Sequence, residues 1–274
     1  MTSRRFCCVA LATAWLAGCS VFQTATPSLP QRSSVVRGQL WVYSDIYLPQ
    51  RHRLLEELNA QRGVLATKLS LPTSDEPVYV YLFTTADEFK TYVHANFPDF
   101  PSRRAFFVEN DMRLAVYAYW GDRVAEDLRH EVTHGYLHSV CPRIPLWIDE
   151  GLAEYFEVPA GQHGLHRPHM QEIAAARANG WKPNLRRLEE LKSAGDMTQI
   201  DYAESWAWAH LLLETTPERQ QTLHAFLTAV QGSDPPDPLS SRLRAVHLDY
   251  EQKLLEHLDQ LEKTELAAKE QLPM

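Results

Sequence analysis

The chain has 274 residues, enough for one sizeable domain or two small ones. Apolar residues make up 45% of it and charged residues 23%, which is an ordinary globular composition and predicts a packed core. The net charge is −8 and the Lys and Arg residues are not clustered, which argues against nucleic acid as a partner, because binding phosphate groups needs such clusters.

The N-terminal segment has the composition of a targeting sequence. After a short basic start, an apolar run covers residues 6–17, which is too short to span a bilayer as a permanent helix. Leu16-Ala17-Gly18-Cys19 resembles the lipobox of bacterial lipoproteins. The resemblance implies a signal peptide over residues 1–18, lipidation of Cys19, and a protein anchored in the bacterial cell envelope. Ser20 after the cysteine, rather than Asp, implies the outer membrane, facing the periplasm. The alternative is a plain secretory signal.

The rest of the chain predicts a tether and two structural halves. Residues 19–36 are rich in Thr, Ser, Pro and Gln and predict a flexible tether. Residues 37–160 predict a mixed α/β half, and residues 161–270 an all-helical half. Alternation of apolar and polar residues predicts a strand at 39–47, and a β-branched and aromatic run predicts one at 78–83. Two further strands are predicted at 105–108 and 113–120, joined by a hairpin turn at Asn110-Asp111. Apolar spacings of three and four predict helices at 51–69, 86–95, 123–140, 148–158, 167–179, 200–214, 217–230 and 240–268.

One motif in the first half carries chemistry. His130-Glu131-Val132-Thr133-His134 matches H-E-x-x-H. Residues at i and i+4 share a helix face, so both imidazoles can bind one metal ion, and Glu131 beside them can take a proton from a metal-bound water. A zinc hydrolase needs a third protein ligand. Glu150 and Glu154, four residues apart in the next predicted helix, both face one way, and either one fits that role.

The two motifs together resemble the gluzincin zinc peptidases, and in particular a bacterial group of gluzincin-like proteins of unassigned function. The resembling residues are H-E-x-x-H and the following Trp-x-x-Glu-Gly-Leu-Ala, and the likeness extends over residues 78–230. It implies a zincin-like α+β fold, with a small sheet packed on the H-E-x-x-H helix, and one zinc ion held by His130, His134 and Glu150. It also implies that Glu131 is the general base. Glu154 matches the acid that accepts a hydrogen bond from the first histidine.

A tyrosine in the helical half completes the resemblance. Tyr202-Ala203-Glu204-Ser205-Trp206 resembles the gluzincin segment whose tyrosine hydroxyl stabilises the tetrahedral intermediate, as a phenol near zinc is suited to do. A core tyrosine is the alternative, and His210 is a second candidate for the same role. Asp149 stands where aminopeptidases have asparagine, and we interpret it as a cap of its helix.

Three weaker patterns lie around these motifs. Residues 107–110 faintly resemble an aminopeptidase loop whose glutamate, here Glu109, binds a free N-terminus. Residues 113–120 are predicted to be an edge strand beside the cleft, where gluzincins pair with substrate backbone. His163, His166 and His169 are spaced three apart and are candidates for a second metal site.

These observations predict a zinc-dependent peptidase that hydrolyses peptide bonds in the cell envelope. Its substrate is a peptide or protein, and the sequence leaves exopeptidase and endopeptidase activity both open. The alternative is a non-catalytic, zincin-like envelope lipoprotein that binds a protein or peptidoglycan partner.

Overall fold

The computed structural model describes residues 27–232 and 234–270. The predicted signal peptide, residues 1–18, and Cys19 lie outside these ranges, as do residues 20–26 of the predicted tether. Residues 33–36, which we assigned to the tether, belong to a strand, and Val35 is buried in the core. The folded part of the chain therefore begins before residue 37.

Five strands of the described residues form one mixed sheet. They are β1 (Ser33–Arg37), β2 (Leu40–Ser44), β3 (Val78–Phe83), β4 (Ala105–Asn110) and β5 (Arg113–Tyr119). Their order is β1-β2-β3-β5-β4; β2, β3 and β5 run parallel, while β1 and β4 are antiparallel to their neighbours at the two edges. The expectation of an edge strand at residues 113–120 is therefore wrong, because β5 pairs on both sides. The edge strand near the H-E-x-x-H helix is β4.

The predicted hairpin joins β4 to β5. Asn110 pairs with Arg113 across the turn. The side-chain oxygen of Asn110 accepts hydrogen bonds from the backbone N–H groups of Met112 and Arg113, both at 3.0 Å. This use of Asn is typical of tight turns, where its side chain satisfies backbone donors.

The described residues form ten α-helices and one short 3₁₀ helix at Ala194–Asp196. The α-helices are α1 (Arg53–Leu69), α2 (Ala86–Asn96), α3 (Val124–His138), α4 (Leu146–Glu157), α5 (Arg167–Ala178), α6 (Leu185–Glu190), α7 (Gln199–Glu214), α8 (Pro217–Val230), α9 (Leu239–Val246) and α10 (Tyr250–Glu270). The prediction of one helix over residues 240–268 is wrong, because the chain breaks at residues 247–249 to give α9 and α10. No helix within residues 27–232 or 234–270 combines the length and the apolar character needed to cross a membrane.

Both faces of the sheet are covered, as is usual for strands with parallel neighbours. On one face, α2 packs an aromatic cluster against β3, β4 and β5. On the other face lies α3, and Gly135 lets it approach closely: a Cβ there would lie 2.6 Å from Cγ1 of Val78 in β3. The α+β prediction with a sheet packed on the H-E-x-x-H helix is thus confirmed at the level of secondary structure and packing.

The helical half packs on α3 through α4. One buried cluster runs from β1 to α10, so the two halves share a hydrophobic core. In α4, Gly151 permits close contact with α7, since a Cβ at this position would lie 2.4 Å from the carbonyl oxygen of Ser205. This approach brings the first turn of α7, which carries Tyr202, towards Glu150.

Candidate metal centre

The two histidines of α3 and one glutamate of α4 converge at a single point. Nε2 of His130 and Nε2 of His134 are 3.2 Å apart, and Oε2 of Glu150 lies 3.5 Å and 3.7 Å from them respectively. Tetrahedral ligands about 2.1 Å from a zinc ion are about 3.4 Å from one another. The three atoms therefore have the spacing of one face of a zinc coordination tetrahedron, which leaves a fourth position open.

The hydrogen-bonding state of these atoms also fits a cation. Nδ1 of His130 lies 3.0 Å from a carboxylate oxygen of Glu157, and Nδ1 of His134 lies 2.9 Å from one of Asp149. A carboxylate accepts hydrogen bonds, so Nδ1 of His130 carries the hydrogen and its Nε2 presents a lone pair, and the nearby carboxylate of Asp149 favours the same tautomer of His134. Oε2 of Glu150 is buried and has no hydrogen-bond partner among the described residues. Two imidazole nitrogens and a carboxylate oxygen that face one another at these distances are stabilised by a positive charge between them.

The pKa of His130 reflects the same requirement. Burial lowers the pKa of His130, but the neighbouring carboxylates of Glu150 and Glu157 raise it well above its ordinary value. A proton on His130 or a metal ion would each supply the missing charge. The donor set of two imidazoles and one carboxylate is one that zinc enzymes use, so the residues present fit zinc.

The carboxylate beside His130 belongs to Glu157 rather than to Glu154. Glu157 accepts hydrogen bonds from Nδ1 of His130 at 3.0 Å and from Nε2 of His166 at 2.7 Å. The polar atoms of Glu154, Glu157 and His130 lie within 4.8 Å of one another, but the carboxylate of Glu154 contacts Nε2 of His169 at 2.8 Å. The resemblance implies that Glu154 accepts a hydrogen bond from the first histidine, but in the structure Glu157, one turn further along α4, makes this contact.

Asp149 does not cap its helix, contrary to our interpretation. Pro145 occupies the N-cap position of α4, and the buried carboxylate of Asp149 contacts His134 and, at 3.0 Å, Nε2 of His138. His138 in turn contacts Glu109 at 2.6 Å. Although burial lowers it, the pKa of His138 rises to about 9 because both carboxylates favour the charged imidazole. The carboxylate of Glu109 is thus engaged by a cationic histidine.

Glu131 lies beside His130, His134 and Glu150, the three candidate ligands that we call the triad, and its carboxylate is unpaired. The residue is only 7% exposed and lines, together with His130, a polar cleft of about 490 Å³. Within the part of the chain that the structure describes, its carboxylate forms no hydrogen bond or ion pair. Burial raises the pKa of Glu131, and His130 and His134 oppose that shift. A buried, unpaired carboxylate of raised pKa is suited to accept a proton.

Tyr202 of α7 contacts Arg103, which lines this cleft and has no counterpart in the motifs. Nη2 of Arg103 donates a hydrogen bond to the Tyr202 hydroxyl oxygen at 3.1 Å. Burial raises the pKa of Tyr202, as does the charge of Glu150, whereas Arg103 and His130 lower it. Because Arg103 donates to the oxygen, the phenolic hydrogen points elsewhere. Its only acceptor in the described residues is the Ala194 carbonyl at a long 3.5 Å.

The alternative histidines serve other contacts. The imidazoles of His166 and His169 stack with centroids 3.8 Å apart. Nδ1 of His166 accepts the backbone N–H of His169 at 3.2 Å and caps α5, so the ring hydrogen is on Nε2, where it donates to Glu157. In that tautomer Nε2 is not a metal ligand. Among described residues, Glu154, His166 and His169 lie close enough to share an ion, whereas His163 belongs to no such group.

His210 does not face the triad. Its Nδ1 lies 2.9 Å from Nε2 of His257 in α10, and the residue is buried between α7 and α10. Tyr202 is therefore the better placed of the two candidates for contact with a substrate bound at the triad.

Comparison with known proteins does not assign the chain to a family. A scan of the chain against protein-family models finds no match, and a search of curated proteins finds none either. The likeness to gluzincins stays a prediction that depends on the two motifs.

Proposed function

We propose that the protein is a zinc-dependent peptidase with a zincin-like fold. The observation that carries the proposal is the convergence of His130, His134 and Glu150 at ligand spacing, with both Nδ1 atoms already engaged by carboxylates. Three protein ligands with an open fourth position are typical of catalytic rather than structural zinc sites. Structural sites use four protein ligands, often cysteines, and the described part of this chain contains a single cysteine, which is buried away from the triad in the core.

The surrounding residues have distinct roles in this proposal. A zinc ion at the triad would polarise the scissile carbonyl and lower the pKa of a bound water. Glu131 would serve as the general base, taking a proton from the attacking water and giving it to the leaving amine. Tyr202 donates its phenolic hydrogen to the oxygen that becomes negative. Glu157 and Asp149 hold the ligand histidines in the tautomer and orientation that direct both Nε2 atoms to one point.

The site favours an enzyme over the non-catalytic alternative. A scaffold that only binds a partner has no use for a buried, unpaired carboxylate, which costs folding free energy. Glu131 is such a carboxylate, and it lines the open cleft beside the triad. With the lipobox at Cys19, we propose that the substrates are peptides or proteins of the cell envelope, reached from a lipid anchor in the outer membrane.

The test is to replace Glu131 with glutamine. The amide has nearly the same shape and is not a zinc ligand, so zinc should remain bound, but the amide cannot take a proton. The rate should fall by roughly 10²–10⁴-fold, the usual contribution of a general base. Zinc-loaded wild type and variant are incubated with a library of unstructured peptides and peptidoglycan fragments and analysed by mass spectrometry. An active variant would contradict the mechanism, and an inactive, zinc-loaded wild type would favour the binding protein.

A further inference from the structure

Three cationic side chains line the cleft beside the triad, together with the carboxylates of Asp127, Glu131, Glu154 and Glu157, in a chain that is acidic as a whole. The three cations are Lys90 of α2 and Arg103 and Arg104, which lie just before β4. Arg104 is already neutralised, because its guanidinium makes three hydrogen bonds of 2.7–3.0 Å to Asp127. Among side chains in the described ranges, Lys90 and Arg103 have no carboxylate within ion-pair distance. Two positive charges in the cleft thus lack a direct counter-ion.

Arg103 has donors to spare at a defined place. A guanidinium has five N–H donors, and Arg103 uses one of them, on Nη2, for the Tyr202 hydroxyl. The remaining donors can bind both oxygens of a carboxylate, which is the geometry that arginine prefers. Although burial lowers it, the pKa of Arg103 is raised by Tyr202, Glu150 and Glu131, so its charge lies within electrostatic range of the triad. An anion bound here would therefore sit beside the tyrosine and close to the reacting bond.

We propose that Arg103, assisted by Lys90, forms a carboxylate-binding subsite, and that the preferred substrates are peptides with a carboxylate next to the scissile bond. The proposal rests on the proposed peptidase function and narrows its substrate class. The carboxylate has two possible sources, a free C-terminus or an acidic side chain. The first source would make the enzyme a carboxypeptidase, and the second an endopeptidase that prefers acidic residues.

The experiment measures binding, so that it does not depend on turnover. The zinc-loaded Glu131→Gln protein is titrated in a calorimeter with three short peptides: one blocked and neutral, one with a free C-terminal carboxylate, and one blocked with an internal glutamate. At least one acidic peptide should bind about 10–100-fold more tightly than the neutral one, as expected for a charge-assisted pair. Which acidic peptide gains identifies the source of the carboxylate.

Variants in the same background assign the effect to Arg103. Arg103→Gln should weaken binding of the acidic peptide about 10–100-fold more than binding of the neutral peptide, and Arg103→Lys should restore part of the preference. Lys90→Gln should reduce the preference by less. Arg244→Gln, which removes an exposed arginine of α9 that does not line the cleft, is the matched control and should have no effect. Thermal unfolding of each variant checks that it is folded.

Three outcomes would overturn the subsite. The first is equal binding of the neutral and acidic peptides. The second is a preference for the acidic peptide that survives in Arg103→Gln, which would place the carboxylate on the zinc ion instead. Arg103→Gln could also weaken all three peptides alike, which would make it only a support for Tyr202. Cleavage of peptides by the wild type regardless of charge would leave the peptidase proposal standing without the subsite. Binding that depends on Arg103 without any cleavage would support the subsite and contradict the peptidase proposal.

Discussion

Replacing Glu157 with alanine is expected to weaken zinc binding by roughly 10–100-fold, the usual effect of losing a carboxylate that orients a ligand histidine. Glu157 accepts hydrogen bonds from Nδ1 of His130 at 3.0 Å and from Nε2 of His166 at 2.7 Å. Without it, the His130 ring is free to rotate and its Nδ1–H is left without an acceptor in a buried site. The expected loss corresponds to about 1.4–2.8 kcal/mol of zinc-binding free energy.

The charge of Glu157 matters as well as its position. Burial alone would raise the pKa of this carboxyl, yet hydrogen bonds from His130 and His166 lower it well below its usual range. The group is therefore ionised at neutral pH and increases the basicity of His130. Glu157→Gln keeps an acceptor oxygen without the charge, so its zinc affinity should lie between those of wild type and Glu157→Ala.

Glu154→Ala is the matched control, because it removes the same group one turn away on the same helix. Its carboxylate contacts His169 rather than the ligand histidines, so zinc affinity should change by less than about threefold, well below the loss expected at Glu157. Affinity is measured by competition with a chromophoric chelator at pH 7, and thermal unfolding of the metal-free variants checks folding. If Glu154→Ala weakens zinc binding and Glu157→Ala does not, the assignment of the two glutamates is wrong.

Three further predictions concern other parts of the molecule. Tyr202→Phe should retain zinc but lower the peptidase rate by roughly 10²–10³-fold, as for one missing oxyanion donor, and an unchanged rate would remove Tyr202 from the mechanism. Burial lowers the pKa of both His210 and His257 to about 4, whereas an unfolded histidine titrates near pH 6.5. The unfolded state therefore binds more protons than the folded state between about pH 6.5 and 4, so the urea midpoint of unfolding should fall as the pH is lowered through this window. The midpoint of His257→Gln should fall less steeply with pH, and equal pH dependence in the two proteins would contradict the lowered pKa values. Cys19→Ser should move the protein from the membrane fraction to the soluble fraction, and a wild type without acyl mass would refute lipid anchoring.

Strong local patterns account for what could be predicted of the fold. The β-branched and aromatic run at residues 78–83 is β3, residue for residue, and the helices that flank the metal centre begin and end within two residues of the predicted bounds. The sequence does not predict strand β1, because the strand has only five residues, two of them serine, and comes directly after a segment with the composition of a tether. The break between α9 and α10 was missed because Val246 and Tyr250 keep a spacing of four across it.

The candidate site, like the fold, could be predicted from the sequence only in part. The spacing within each motif predicts that His130 and His134 share a face of one helix, and a face of the next helix carries the third candidate ligand. That second face carries Glu150, Glu154 and Glu157 at helical spacing, so the sequence alone cannot decide which carboxylate contacts His130. The answer depends on how α4 crosses α3 and on where α5 places His166, which are tertiary facts.

Arg103 illustrates the limit most clearly. It lies in an irregular segment between α2 and β4, where neither periodicity nor a motif marks it as functional. Its contact with Tyr202 joins residues 99 positions apart in the chain. Asp149 likewise has the sequence position of a helix cap, and only the packing of α4 on α3 turns its carboxylate towards His134.

The metal content of the purified protein tests the central claim most directly. Elemental analysis of the mature wild type, refolded or dialysed with zinc, should give close to one zinc ion per chain, and Glu150→Ala, which removes the third ligand, should give close to none. A wild type that binds no zinc under these conditions, or a Glu150→Ala variant that keeps the full amount, would contradict the metal centre formed by His130, His134 and Glu150.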